Sequence, residues 1–240
     1  MKKIDWKLIV IIVLALVVVV EGIFLLKKDS DDKPIKNEEK STVYTNDSVI
    51  LKVSNDIDVE YEIYNNNQSM LLKFTSKQKN IMTSDITVVF KNANDEVVDE
   101  FTTPTGALIK DDTYAINLNV PKITDDYAGN IEITITPEYL NEEMSFYDKS
   151  LIKLNHTETN NEDNSITMNL IGTNPFEGDI SMIQGLIVLT NKEEIVQVSK
   201  FAQNDITSGN EINIDVGISP DEKGNLLTYD NVEIIINELY

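Results

Sequence analysis

Two tandem antiparallel β-sandwiches behind a single N-terminal transmembrane α-helix make up the all-β architecture that the sequence predicts. Three observations predict it. An apolar run near the N-terminus is long enough to cross a bilayer, most of the remaining chain alternates apolar and polar residues with a period of two, and that alternating pattern occurs twice in the same order.

The apolar run extends from Leu8 to Leu26, and Glu21 is its single charge. At about 1.5 Å of rise per residue it makes a helix of about 28 Å, close to the hydrocarbon thickness of a membrane. Lys2, Lys3, Lys7, Lys27 and Lys28 bracket it, and Trp6 sits at interfacial depth. Glu21 lies five residues from the end of the run, within reach of the interface. Val20-Glu21-Gly22 loosely offers a signal-cleavage site, but Ile23-Phe24-Leu25-Leu26 continues the apolar core. The leading reading is therefore an uncleaved signal anchor, with cleavage as the alternative. Residues 1–7 form a cytoplasmic tail and 8–26 the span. Residues 27–41, polar with Ile35 as their one large apolar residue, form a flexible linker. Because long C-terminal domains cross a membrane largely regardless of flanking charge, the rest of the chain is placed outside the cell, on a single-pass membrane protein.

The two modules are assigned to residues 42–140 and 141–240, so that each is an ordinary domain of about 100 residues. Their repeat is read segment by segment. Ser69–Phe74 matches Ser165–Leu170, Ile86–Asn92 matches Gly185–Asn191, Val97-Val98 matches Ile195-Val196, Ile116–Pro121 matches Ile214–Pro220, and Ile131–Ile135 matches Val232–Ile236. Ile116, Leu118 and Val120 alternate with asparagines, Ile131, Ile133 and Ile135 with Glu132 and Thr134, and Ile212, Ile214 and Val216 with Asn213 and Asp215. One apolar and one polar face describe strands of antiparallel sheets. Asn92–Asp95, Lys110–Asp112, Asp126–Gly129, Ser208–Asn210 and Glu222–Asn225 separate them with turn-forming residues.

Short strands in this number and spacing are those of sandwiches of the immunoglobulin or fibronectin III kind. The run from Val88-Val89-Phe90-Lys91-Asn92 through Glu96-Val97-Val98 to Val120-Pro121 resembles bacterial immunoglobulin-like modules of the FxLYD type, with Lys91-Asn92 where that motif has Tyr-Asp. The resemblance implies a binding or spacer module and brings no catalytic residues with it.

Composition narrows the chemistry. There is no cysteine, which excludes disulfides, thiolate metal sites and cysteine nucleophiles. From Thr42 onward, 12 lysines face 34 acidic residues, a net charge of −22. Such a surface repels phosphate backbones, so no nucleic-acid partner is expected. The one histidine, His156, falls in a strand-like segment without a second imidazole or a thiol beside it. No phosphate-binding glycine loop, nucleophile elbow or HExxH motif is present, and no catalytic or cofactor-binding residue is assigned. The leading reading is a non-catalytic, membrane-anchored accessory subunit with a protein partner in the cell envelope. The alternatives are a surface adhesin and a module binding Ca²⁺ or a wall ligand. For Ca²⁺ the candidate ligands are Asp111, Asp112, Asp125 and Asp126, on two loops that the topology can bring to one end of the first module. A Ca²⁺ site there is expected to raise the melting temperature of residues 42–240 by several degrees at millimolar Ca²⁺, because a ligand held only by the native state stabilises it by mass action. An unchanged melting curve removes the site.

Overall fold

The computed structural model describes residues 46–66, 68–121, 129–140 and 146–240. The predicted span 8–26, the linker 27–41 and the pair Asp125 and Asp126 lie outside them. Among the described residues no helix is long and apolar enough to cross a membrane.

Those residues form an all-β structure. The first set of strands is β1 (Val49–Lys52), β2 (Ile57–Tyr64), β3 (Ser69–Ser76), β4 (Ile81–Lys91), β5 (Val97–Pro104), β6 (Thr113–Asn119) and β7 (Asn130–Tyr139). The second is β8 (Asn155–Asn160), β9 (Ile166–Thr173), β10 (Ile180–Asn191), β11 (Glu194–Ile206), β12 (Glu211–Ile218) and β13 (Asn231–Leu239). Sheet order runs β2-β3-β6 and β1-β7-β4-β5 in the first half, β8-β9-β12 and β13-β10-β11 in the second. Apart from β1, the two halves share one topology. The predicted matches place β3 to β7 on β9 to β13 in order, and the structure adds the correspondence of β2 with β8.

Turn chemistry follows the composition of the connections. Asn65, Asn66, Asp95, Asp111, Asn164, Gly209 and Gly224 all take positive φ, the region that asparagine, aspartate and glycine tolerate best. The hairpin between β10 and β11 has no such residue. Lys192 and Glu193 adopt φ of 52° and 74°, and Asp230 Oδ2 accepts from the Lys192 N–H at 2.9 Å.

Each half encloses its own core. Met70, Leu72 and Phe74 of β3 meet Ile86, Val88 and Phe90 of β4 and Ile131 and Ile133 of β7. Met168 and Leu170 of β9 meet Ile187 and Leu189 of β10 across the second. The remaining cluster joins the halves. Leu71 and Ala115, on the outer face of β2-β3-β6, bury against Leu186, Val188, Ile195 and Ile235, on the outer face of β11-β10-β13, with Tyr64 and Val198 alongside. Four sheets therefore stack in succession around three apolar layers.

The repeat shows why these two faces pair and the others do not. At matched positions Leu186 replaces Thr87, Ile235 replaces Thr134, Leu71 replaces Thr167 and Ala115 replaces Asn213. Inward-facing positions stay apolar in both copies. Gly185 to Leu189 consequently departs from the period-two expectation and is buried on both faces. Gly185 itself has no space for a side chain, since a Cβ there runs into the Ile235 carbonyl oxygen and the Phe201 ring.

Leu71→Ala and Leu186→Ala are each expected to cost about 2–4 kcal/mol in denaturant unfolding, with a double-mutant loss smaller than the sum because the two share one contact layer. Thr167→Ala and Thr87→Ala, at the matched positions on the outer faces, should stay within about 0.5 kcal/mol.

Candidate functional site: the junction between the halves

The open edge of β6 is the starting point. Ser76 N–H donates to the Asp112 carbonyl and Val120 N–H to that of Gln68, so even-numbered residues of this strand bond toward β3. Odd-numbered ones turn their amides outward. Asn237 of β13 meets one of them with its side chain: Ala115 N–H donates to Asn237 Oδ1 at 2.8 Å, and Asn237 Nδ2 donates to the Ala115 carbonyl at 2.7 Å. One buried amide thus satisfies both groups as a neighbouring strand does.

Glu238 gathers hydroxyls beside it. Tyr114 Oη donates to Glu238 Oε1 at 3.0 Å, Tyr240 Oη to Oε2 at 2.8 Å, and Gln184 Nε2 also reaches Oε2. Burial first, and then the Glu238 charge, push the Tyr114 hydroxyl well above its ordinary range. Burial and the same carboxylate push Tyr240 up to about 12. At the far margin of the seam Lys73 pairs with Glu233, and Glu62 Oε1 accepts from the Ile195 N–H at 3.3 Å.

A buried ion pair closes the other margin. The 3-10 turn Lys149–Leu151, capped by Asp148 accepting from Ser150 N–H at 3.0 Å, opens the second half. Its Lys149 side chain is 7% exposed and lies 3.4 Å from the Asp112 carboxylate, itself 14% exposed. Lys149 Nζ also donates to the Asn237 carbonyl at 3.0 Å, and Ile109 N–H donates to Asp112 Oδ2 at 3.3 Å. Burial lowers the Lys149 ammonium from its usual range and raises the Asp112 carboxyl, each partner's charge working against the shift in the other. Desolvation is thus the larger effect on both, so the pair specifies how the halves sit rather than adding stability outright.

Clefts flank the seam, two of them away from the Lys149 margin. One, of about 230 Å³, carries Glu60, Glu62 and Glu233 around Lys73. The other, of about 460 Å³, is walled by Phe101, Ile116, Leu186 and Phe201, with Asn117 and Lys200 among its polar groups.

Of the four predicted Ca²⁺ ligands, Asp112 is engaged by Lys149 and the Ile109 N–H. Asp111 occupies the positive-φ turn position next to it. Asp125 and Asp126 lie outside the described residues, and among the described residues no three acidic or imidazole groups assemble around a common point. His156 is on β8, 3.4 Å from Glu158, and lines neither cleft. The junction residues Lys149, Asn237 and Glu238 were not among the predicted site residues. Their sequence signal was the asparagine at 237, an amide where the matched position, 136, holds a threonine.

Fold and junction together define the class: an all-β protein whose paired sheets are locked by one buried seam. No protein-family model and no curated protein matches the chain. Among solved structures it is similar to red sea bream transglutaminase, at a TM-score of 0.24 and 7% identity, covering 70% of this chain and 28% of that one. A likeness this loose carries no argument about fold or activity.

Lys149→Met, which strands the Asp112 charge, is expected to cost about 3–5 kcal/mol near neutral pH in chemical unfolding. With the partner gone, the folded-state carboxyl pKa rises further above the unfolded value, so the penalty shrinks as pH falls through that raised value. Asp112→Leu combined with Lys149→Met should recover most of the loss.

Proposed function

We propose that the chain is a non-catalytic membrane protein: residues 8–26 anchor it, and two immunoglobulin-like sandwiches, stacked as one arm, present a binding surface to a protein partner just outside the membrane. An accessory subunit of an envelope complex fits this description best. The observation that carries the reading is the seam of Leu71, Ala115, Leu186, Val188, Ile195 and Ile235. Tandem modules joined only by a linker swing freely, whereas an arm whose halves share a buried layer holds its surfaces at a set angle and distance. That is useful for presenting a surface and adds nothing to a reaction. The position of His156 on an exposed strand beside Glu158 supports the same reading.

The test is fractionation of cells producing the full chain and a form starting at residue 42. The full chain is expected to sediment with membranes and resist alkaline carbonate, and protease added to intact cells should remove its arm. The shortened form should be released. Crosslinking in intact cells before purification is then expected to recover one membrane protein in a fixed ratio. A full chain released by carbonate, or an arm protected from external protease, overturns the anchoring and its orientation.

A further inference from the structure

The two halves differ at one sheet edge. In the first, β7 is covered by β1, which pairs with it in parallel from Val49 opposite Ile131 to Lys52 opposite Thr134. Val49 and Val53 pack against the core there, and Ile131, Ile133 and Ile135 are 0%, 0% and 3% exposed. In the second half the sheet ends at β13, and among the described residues no strand lies beyond it. Where a counterpart of β1 would run, the chain makes the 3-10 turn Lys149–Leu151, from which Lys149 donates to the Asn237 carbonyl of β13. The matched core residues Val232, Ile234 and Ile236 are all left half-buried. The same three inward positions of one repeat are sealed in one copy and open in the other.

We infer that the free edge of β13, over residues 231–236, is a strand-acceptor site for a partner's short extended segment, aliphatic and carrying a lysine, bound parallel to β13. An exposed edge of unpaired N–H and C=O groups binds a strand by main-chain hydrogen bonds, and pockets for alternate side chains supply the choice. The occupant's chemistry is read from β1, which solves the same problem on β7. Its sequence is Val49-Ile50-Leu51-Lys52, and Lys52 bridges Glu132 at 2.6 Å beside Lys91; the matched Glu233 on β13 has Lys73 in the place of Lys91 and no counterpart of Lys52 among the described residues. A positive segment also suits an arm of net charge −22. A second copy suits it poorly, because its own β1 is held on β7 and the two chains repel.

This inference rests on the reading of the chain as a binding module but not on its anchoring. The probe is a fluorescent peptide copying residues 47–54, added to the full chain in detergent micelles. Saturable one-to-one binding is expected, with amide hydrogen exchange at 231–236 slowed at least tenfold. A peptide with alternate backbone amides N-methylated should bind at least tenfold more weakly, and one carrying Lys52→Glu several-fold more weakly. Unchanged exchange at 231–236 up to millimolar peptide overturns the site, as does protection confined to 131–134. A concentration-dependent dimer that the peptide dissolves assigns the edge to a second copy and overturns the partner proposed here. Failure of membrane retention in the fractionation leaves each of these outcomes readable.

Discussion

Leu71 and Leu186, one from each half, meet in an apolar layer that lies outside both sandwich cores. Burying a large aliphatic side chain contributes about 1.5–3 kcal/mol, so a layer holding Leu71, Leu186, Val188, Ile195 and Ile235 is comparable with the whole stability of an ordinary domain. The polar groups at its margins depend on it. Asn237 reaches Ala115, Lys149 reaches Asp112 and Lys73 reaches Glu233 only because the two outer faces are held together, and each of these pairs crosses from one half to the other. The apolar layer supplies the attraction, while the buried amide and ion pair admit one relative placement, since misplacing either leaves a polar group without a partner.

The same layer accounts for what remains open. Docking uses the β2-β3-β6 face of the first half and the β11-β10-β13 face of the second. The other two outer faces keep threonine, asparagine and charged residues, as at Asn169, which donates to Asn213 and Asp215. Edges are governed separately. β1 pairs along β7, whereas among the described residues no strand pairs with the far edge of β13, and the inward residues of that strand are half-buried.

Much of the candidate site was hidden for a local reason. Asp111 and Asp112 read as part of a cation site because their loop could lie beside that of Asp125 and Asp126 at one end of the first module. Yet Asp112 faces an amine 37 positions further along, and no spacing rule connects the two. Asn237 reads as one more polar residue of an alternating strand, and its partner is the backbone of Ala115, which has no side-chain signature at all. The seam was more legible. Gly185 to Leu189 breaks the alternation, and comparing the two copies position by position isolates Leu71, Ala115, Leu186 and Ile235 as the apolar replacements.

By itself the sequence determined the β-rich character of the residues from 46 onward, the order of the repeated strands and the sites of most turns. These follow from period-two patterning and from backbone preferences of asparagine, aspartate and glycine, which act within a few residues. Tertiary structure alone decided that the halves stack rather than follow one another as separate beads. It also decided that Lys149 is buried against Asp112 and that, among the described residues, β7 has a strand beyond it and β13 has none. Those outcomes depend on which surfaces meet between segments distant in sequence, where burial and desolvation act on the assembled faces and local preference has no say.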